Sequence, residues 1–192
     1  NLGNGAYANT LESVARSGKS DSTTLAFADI DGDGDPDLYI TTVGANLLLE
    51  NEAGRFVDVT EAAGVAGPPE WSSATAFLDY DADGDLDLYA GTYLAWSPET
   101  ELECEVAQGG RDYCAPGNYP TALPDRLYRN NGDGTFTDVS ERSGISSVAR
   151  PGLGICAGDY DGDGHLDIFI ANDGKPDVLW RNLGNGRFKD GG

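Results

Sequence analysis

The chain has 192 residues, with 12 Lys and Arg against 33 Asp and Glu and a formal net charge of −21, a length that suits one domain with its own core. That acidity excludes a nucleic-acid or anionic-membrane partner, which would need a basic patch, and no apolar run approaches the ~20 residues that span a bilayer. Acidic disorder is excluded in turn by 39% hydrophobic residues, including 9 Tyr, 6 Phe and 3 Trp, enough to build a core.

The chain opens on NLGNGAY, a partial copy of a repeat over residues 1–19 in which Tyr7 stands where later copies have Phe. Met is absent, so a processed chain or a piece of a longer one is expected. The first full unit, about 20–60, parses as four short strands near 23–28, 38–42, 47–50 and 56–59. These are rich in β-branched and aromatic residues and are separated by Asn, Gly and Asp turns. The window DIDGDGDPD, from Asp29 to Asp37, joins its first two strands, and Thr60 to Gly64 reads as one helical turn ending at a glycine. A second unit, about 72–140, carries DYDADGDLD from Asp79 to Asp87, and a third, about 152–192, carries DYDGDGHLD from Asp159 to Asp167. The second unit is interrupted over 94–124 by a Pro-, Gly- and Glu-rich excursion without periodicity. A second element, LLLENEAGRF, RLYRNNGDGTF and VLWRNLGNGRF, places its aromatic at Phe56, Phe136 and Phe188. The underlying period is about 50 residues, with four short antiparallel strands in each, the anatomy of a β-propeller blade. A parallel β-helix is the competing repeat fold, but its rungs are shorter. The expected fold is all-β, with about three four-stranded blades in a single repeat domain over 1–192, a partial propeller or part of a larger assembly.

The three windows hold 14 of the 33 acids, a repulsion that a bound divalent cation would relieve. Each reads D-x-D-x-D-G-x-x-D. Calcium takes six to eight oxygens at about 2.3–2.6 Å, and alternating Asp side chains on a tight loop supply them. The expected ligands are Asp29, Asp31, Asp33, Asp35 and Asp37 in the first loop, with Gly34 making the turn. Asp79, Asp81, Asp83, Asp85 and Asp87 follow in the second, and Asp159, Asp161, Asp163, His165 and Asp167 in the third. Position 7 (Asp35, Asp85, His165) would ligate through its backbone carbonyl. An EF-hand would carry a bidentate Glu at position 12 between two helices. Here that position is Ile40, Ala90 or Ile170, and the flanks have strand character. About three calcium ions are expected, on strand–loop–strand sites.

Two runs, GLGICAGDYDGDGHLDIFIAN from Gly152 and PDRLYRNNGDGTFTDVSERSGI from Pro124, carry a resemblance to the FG-GAP/VCBS repeat family, most closely to proteins of the cartilage acidic protein (ASPIC/UnbV-associated) type. The resemblance implies a calcium-bearing propeller similar to the integrin α-subunit head. Family propellers generally have about seven blades; this chain shows three.

Cys104 and Cys114 lie ten positions apart in the excursion. A disulfide there would staple a long loop, contributing about 2.5–3 kcal/mol in the chain-entropy model, and points to an oxidising, extracellular compartment. A zinc half-site is the rival, but the only His is His165, in an acidic loop. Cys156, in an apolar strand, is expected as a buried free thiol. With one His, no Ser/His/Asp or Cys/His arrangement is available, and Arg111, Asp112, Tyr113 and Arg126 near the excursion are too few to name a mechanism, so no enzyme is expected. The leading reading is a secreted or cell-surface calcium-binding module with a structural, adhesion or self-assembly role, its partner a protein or glycan at the cell surface or matrix, or a second copy bound head to tail. Trp71, Tyr93 and Trp96 are either blade core or a recognition surface. The alternative is therefore a lectin-like propeller, or a non-catalytic part of a polysaccharide-degrading enzyme.

Overall fold

A computed structural model describes residues 22–105, 109–112, 114–119 and 122–191. The partial copy over 1–19 lies outside them, as does Tyr113. Among the described residues, three antiparallel four-stranded meanders make up an all-β fold. The first is β1 (Ser22–Ala28), β2 (Asp37–Gly44), β3 (Leu47–Glu52) and β4 (Arg55–Asp58). The second is β5 (Glu70–Leu78), β6 (Asp87–Leu94), β9 (Arg126–Asn130) and β10 (Phe136–Asp138). Between β6 and β9 lies the excursion, with its own short pair β7 (Cys104–Glu105) and β8 (Arg111–Asp112). The third is β11 (Gly152–Gly158), β12 (Asp167–Asn172), β13 (Val178–Asn182) and β14 (Phe188–Asp190). Each meander pairs its strands in chain order. The first two are also joined into one sheet where the end of β2 pairs with the start of β5, Val43 opposite Trp71 and Gly44 opposite Glu70. These are the blades of a partial propeller.

The blades stack face to face, which explains their sequences. In β6 the successive side chains Leu88, Tyr89 and Ala90 point to opposite faces. Leu88 and Ala90 pack with Tyr39 and Leu48 of blade 1, whereas Tyr89 joins Ile168, Ile170, Val178 and Trp180 of blade 3. A central blade is thus buried on both sides, and β6 reads as a continuous apolar run rather than an alternation. Strand β12 alternates instead, with Ile168 and Ile170 inward and Phe169 exposed.

Between blades, Thr60–Ala63 (α1) and Ser140–Ser143 (α2) each make one helical turn ending at a left-handed glycine, Gly64 at φ 77° and Gly144 at φ 90°, as the sequence pattern predicts for the first. Asp58 and Asp138 accept the following N–H and hydroxyl, while Thr60 and Ser140 in turn accept the N–H of Leu48 and Leu127. The innermost strands are stitched across blades: Thr24 Oγ1 donates to the Ser73 carbonyl at 2.8 Å, and Ser73 Oγ donates to the Gly152 carbonyl.

Cys104 and Cys114 are bonded to each other. Cys156 is free, but it is exposed rather than buried. It lies opposite Phe169, and that register places it on the outward face of blade 3. The apolar composition of its strand cannot tell the inner from the outer face of a terminal blade.

Candidate metal centres

All three acidic windows connect the first and second strands of a blade at the same end of the molecule. Glycine at positive φ turns the loop at position 6, with Gly34 at 96°, Gly84 at 99° and Gly164 at 89°. The tight turn folds the backbone N–H groups onto the first carboxylate. Asp29 accepts from Gly32 and Gly34, Asp79 from Asp83 and Gly84, and Asp159 from Gly162, Asp163 and Gly164, all within 2.8–3.2 Å.

The ninth residue begins the second strand and is almost fully buried, with Asp37 1% exposed, Asp87 0% and Asp167 1%. One of its oxygens accepts the N–H of loop position 2: Ile30 at 3.0 Å, Tyr80 at 3.1 Å and Tyr160 at 3.1 Å. The other accepts the N–H of a third-strand asparagine: Asn51 at 2.8 Å, Asn130 at 2.8 Å and Asn182 at 2.7 Å. Burial pushes the Asp87 carboxyl up to about 7 against the pull of those two N–H groups, with Asp81 and Asp83 adding to the rise. The same balance raises Asp37.

Carboxylate oxygens of Asp29, Asp31 and Asp33, of Asp79, Asp81 and Asp87, and of Asp159, Asp161 and Asp167 lie within 4.8 Å of one another in each trio. Oxygens that share one ion at about 2.4 Å stand no farther apart than about 4.8 Å, so the donor set fits a hard cation such as calcium. Positions 1 and 3 converge in every loop. Asp83 and Asp163 stay outside the trios, and each accepts the N–H of position 7. Position-7 side chains turn away from the trios toward the third-to-fourth-strand turn. Asp35 accepts the Ala53 N–H at 3.1 Å, Asp85 lies over Gly132, and the His165 ring lies so close over Gly184 that a Cβ there would clash with it.

Sequence reading passes over the asparagines that fasten the loops together. Asn130 Nδ2 donates to the Leu86 carbonyl of its own loop at 3.2 Å and to Ile30 of the preceding loop at 3.1 Å. Asn182 Nδ2 likewise reaches Leu166 at 3.0 Å and Tyr80 at 2.8 Å. Their signal was the Asn recurring before each Gly-turn in the second repeat element.

The residue just before each asparagine differs. In blade 1 it is Glu50, whose carboxyl is raised by partial burial and then by the charges of Asp31 and Asp37. In blade 2 it is Arg129, which donates to Asn131 at 3.3 Å and lies close enough to Asp81 to favour its charge. In blade 3 it is Arg181, paired with Asp161 at 2.6 Å and Asp163 at 3.1 Å.

At the opposite end, Trp71 packs edge to face with Tyr93 (centroids 4.9 Å) and Trp96 (5.6 Å). With Val43, Glu101 and Tyr119 they line a cavity of about 410 Å³ beside the disulfide. The three rings are half-buried, so they are neither blade core nor a flat platform. Arg126 is spent on Glu70 (3.3 Å) and Asp138 (3.5 Å), and Arg111 pairs with Glu103 at 3.1 Å.

Three stacked four-stranded blades, each with the same acidic loop at the same corner, define a repeat protein of the propeller type. A family model described as FG-GAP-like repeat matches residues 29–90, 112–170 and 159–192, and the chain belongs to that family. Cartilage acidic protein 1 of Xenopus tropicalis is 36% identical over 70 residues, and that of Homo sapiens 34% over 70 residues. In both cases the match covers 35% of this chain and 11% of the relative, so the chain spans only a small part of those proteins. A solved structure described by its specific recognition of non-reducing terminal N-acetylglucosamine, from an Agrocybe aegerita lectin, is 17% identical. It covers 86% of this chain and 50% of that one at a TM-score of 0.28, and so loose a superposition adds nothing to the fold.

Proposed function

We propose that the chain is a secreted calcium-binding β-propeller repeat module, each of its three acidic loops holding one ion, with a structural, adhesion or self-assembly role rather than a catalytic one. The observation that carries this reading is the thrice-repeated convergence of three carboxylates, closed in loops 2 and 3 by a ninth-position Asp that is buried and fastened to the neighbouring strand. Burying a carboxylate beside other carboxylates is costly, and a cation held by the same oxygens offsets that cost. Three ions would cancel six of the 21 net negative charges. The disulfide in the excursion supports an oxidising compartment, and the partner is a protein or glycan of the cell surface or matrix, or a second copy bound head to tail.

Thermal unfolding in calcium against unfolding in chelator tests the proposal. Calcium at about 100 times the dissociation constant adds roughly 2.7 kcal/mol for each site. Asp31→Ala, Asp81→Ala and Asp161→Ala should each lower the bound stoichiometry by one, and magnesium should substitute poorly because it requires a compact octahedral shell. Equal melting temperatures in calcium and chelator would refute calcium binding. The aromatic-lined cavity at the opposite end favours a second reading, a lectin-like site, since ring faces beside a carboxylate suit a sugar. A glycan array on wild type and Trp96→Ala decides it: binding lost in the variant supports the site, and no binding by wild type rejects it.

A further inference from the structure

The third-strand asparagines put the three loops in strict register, because Asn51, Asn130 and Asn182 give their N–H to the same oxygen of the ninth-position Asp. Glu50, Arg129 and Arg181 are therefore equivalent positions, one residue earlier on the third strand. Their charges differ in sign toward the same acidic loops. At loop 3 the Arg181 guanidinium already sits as a cation on the carboxylates, with Nε on Asp161 and Nη2 on Asp163. At loop 2, Arg129 turns partly to Asn131, while its buried Nε has no hydrogen-bond partner. At loop 1 the position supplies a further carboxylate beside Asp31, Asp33 and Asp37.

We propose that this position grades the calcium affinity of the three loops, loop 1 filling first, loop 2 next and loop 3 last, with Arg181 a resident cation that calcium must displace from Asp161. The inference rests on the calcium reading above. Attraction between a divalent ion and its loop depends on the summed charge around it. One unit charge on a partly solvated rim is worth about tenfold in affinity, and exchanging an acid for a base more than that. Loop 3 also releases its guanidinium as it binds, which weakens it further, whereas at loop 1 the equivalent Glu50 adds to the repulsion between carboxylates instead of relieving it.

Calorimetric titration of calcium into the calcium-stripped, disulfide-intact chain separates the alternatives. Wild type should bind in resolved steps, strongest and weakest at least about tenfold apart. Arg181→Gln should tighten the weakest step by about tenfold and leave the strongest unchanged, and Glu50→Arg should weaken the strongest step by more than tenfold. The Arg181 side chain is 45% exposed, so its replacement disturbs no core. The Arg181 Nε–H resonance in wild type gives a second readout, shifting only over the last equivalent of calcium. Three equal sites unmoved by both substitutions would overturn the grading while leaving calcium binding intact. No heat and no gain in thermal stability would instead remove the reading on which it rests.

Discussion

Asp125 is held between the two middle strands of blade 2, accepting the Tyr89 hydroxyl at 2.6 Å and the Thr92 N–H at 2.8 Å. Burial raises its carboxyl to about 6 despite both donors. A carboxyl whose folded value lies above its unfolded one binds its proton more tightly when folded. Its stabilising contribution is complete below about pH 4 and is lost as the pH rises through about 6. Relative to Asp125→Asn, wild type should therefore lose on the order of 2–3 kcal/mol between pH 4 and pH 7. Paired chemical denaturation curves at constant calcium measure it, and a difference that does not change with pH would contradict it. Nothing in the sequence marks this residue among 33 acids, because its partners Tyr89 and Thr92 lie 36 and 33 positions away. Loop acids such as Asp29 and Asp31 were legible for the opposite reason: their partners lie within a few residues, and the spacing itself records the geometry.

Two asparagine links join the three acidic loops in a row. Asn130 links loop 2 to Ile30 of loop 1, and Asn182 links loop 3 to Tyr80 of loop 2. Asn51, by contrast, donates from its side chain to Pro36 of its own loop, in an exposed setting. Asn182→Ala leaves two carbonyls without that donor in a buried place and should cost about 2–3 kcal/mol, whereas Asn51→Ala should cost about 1 kcal/mol or less. Urea denaturation of both variants checks the contrast, and equal losses would argue against a load shared between blades. Strand–loop–strand units and the helical turn at Gly64 were readable because they depend on local spacing and turn chemistry. The role of the asparagines was not, since half of each contact belongs to another blade. The apolar run of β6 had the same limit: sandwiching between two blades explains Leu88, Tyr89 and Ala90 together, and a single strand cannot show its neighbours.

A stack of blades has two ends. On blade 1, Leu25 and Phe27 are 55% and 56% exposed; on blade 3, Leu153 and Phe169 are 55% and 41% exposed. Val178, Trp180 and Phe188 of blade 3 lie on neither end face: they turn inward and fill the core against blade 2. If copies associate head to tail, as proposed, one chain's blade 1 meets another's blade 3, a heterologous contact that makes rings or filaments. Light scattering in calcium should then show oligomers, with Phe27→Glu or Phe169→Glu each monomeric on its own. An equimolar mixture of the two should form dimers and nothing larger, since one intact pair of faces survives between them. A monomeric wild type would end the proposal.

The connections between strands also fall at two poles. Acidic loops and Gly-turns occupy one, where His165 lies over Gly184 and Asp35 reaches Ala53. The 94–124 excursion leaves from the other, between β6 and β9, with its disulfide beside Trp71 and Trp96. Lengthening or rewriting a connection there changes no carboxylate spacing, because the ninth-position Asp and its asparagine partner sit at the far ends of the same strands. The chain thus carries a tolerant pole, open to new sequence and new contacts, on a frame whose other pole admits almost no change. A relative with a different excursion is expected to keep the three carboxylate trios and alter what it touches.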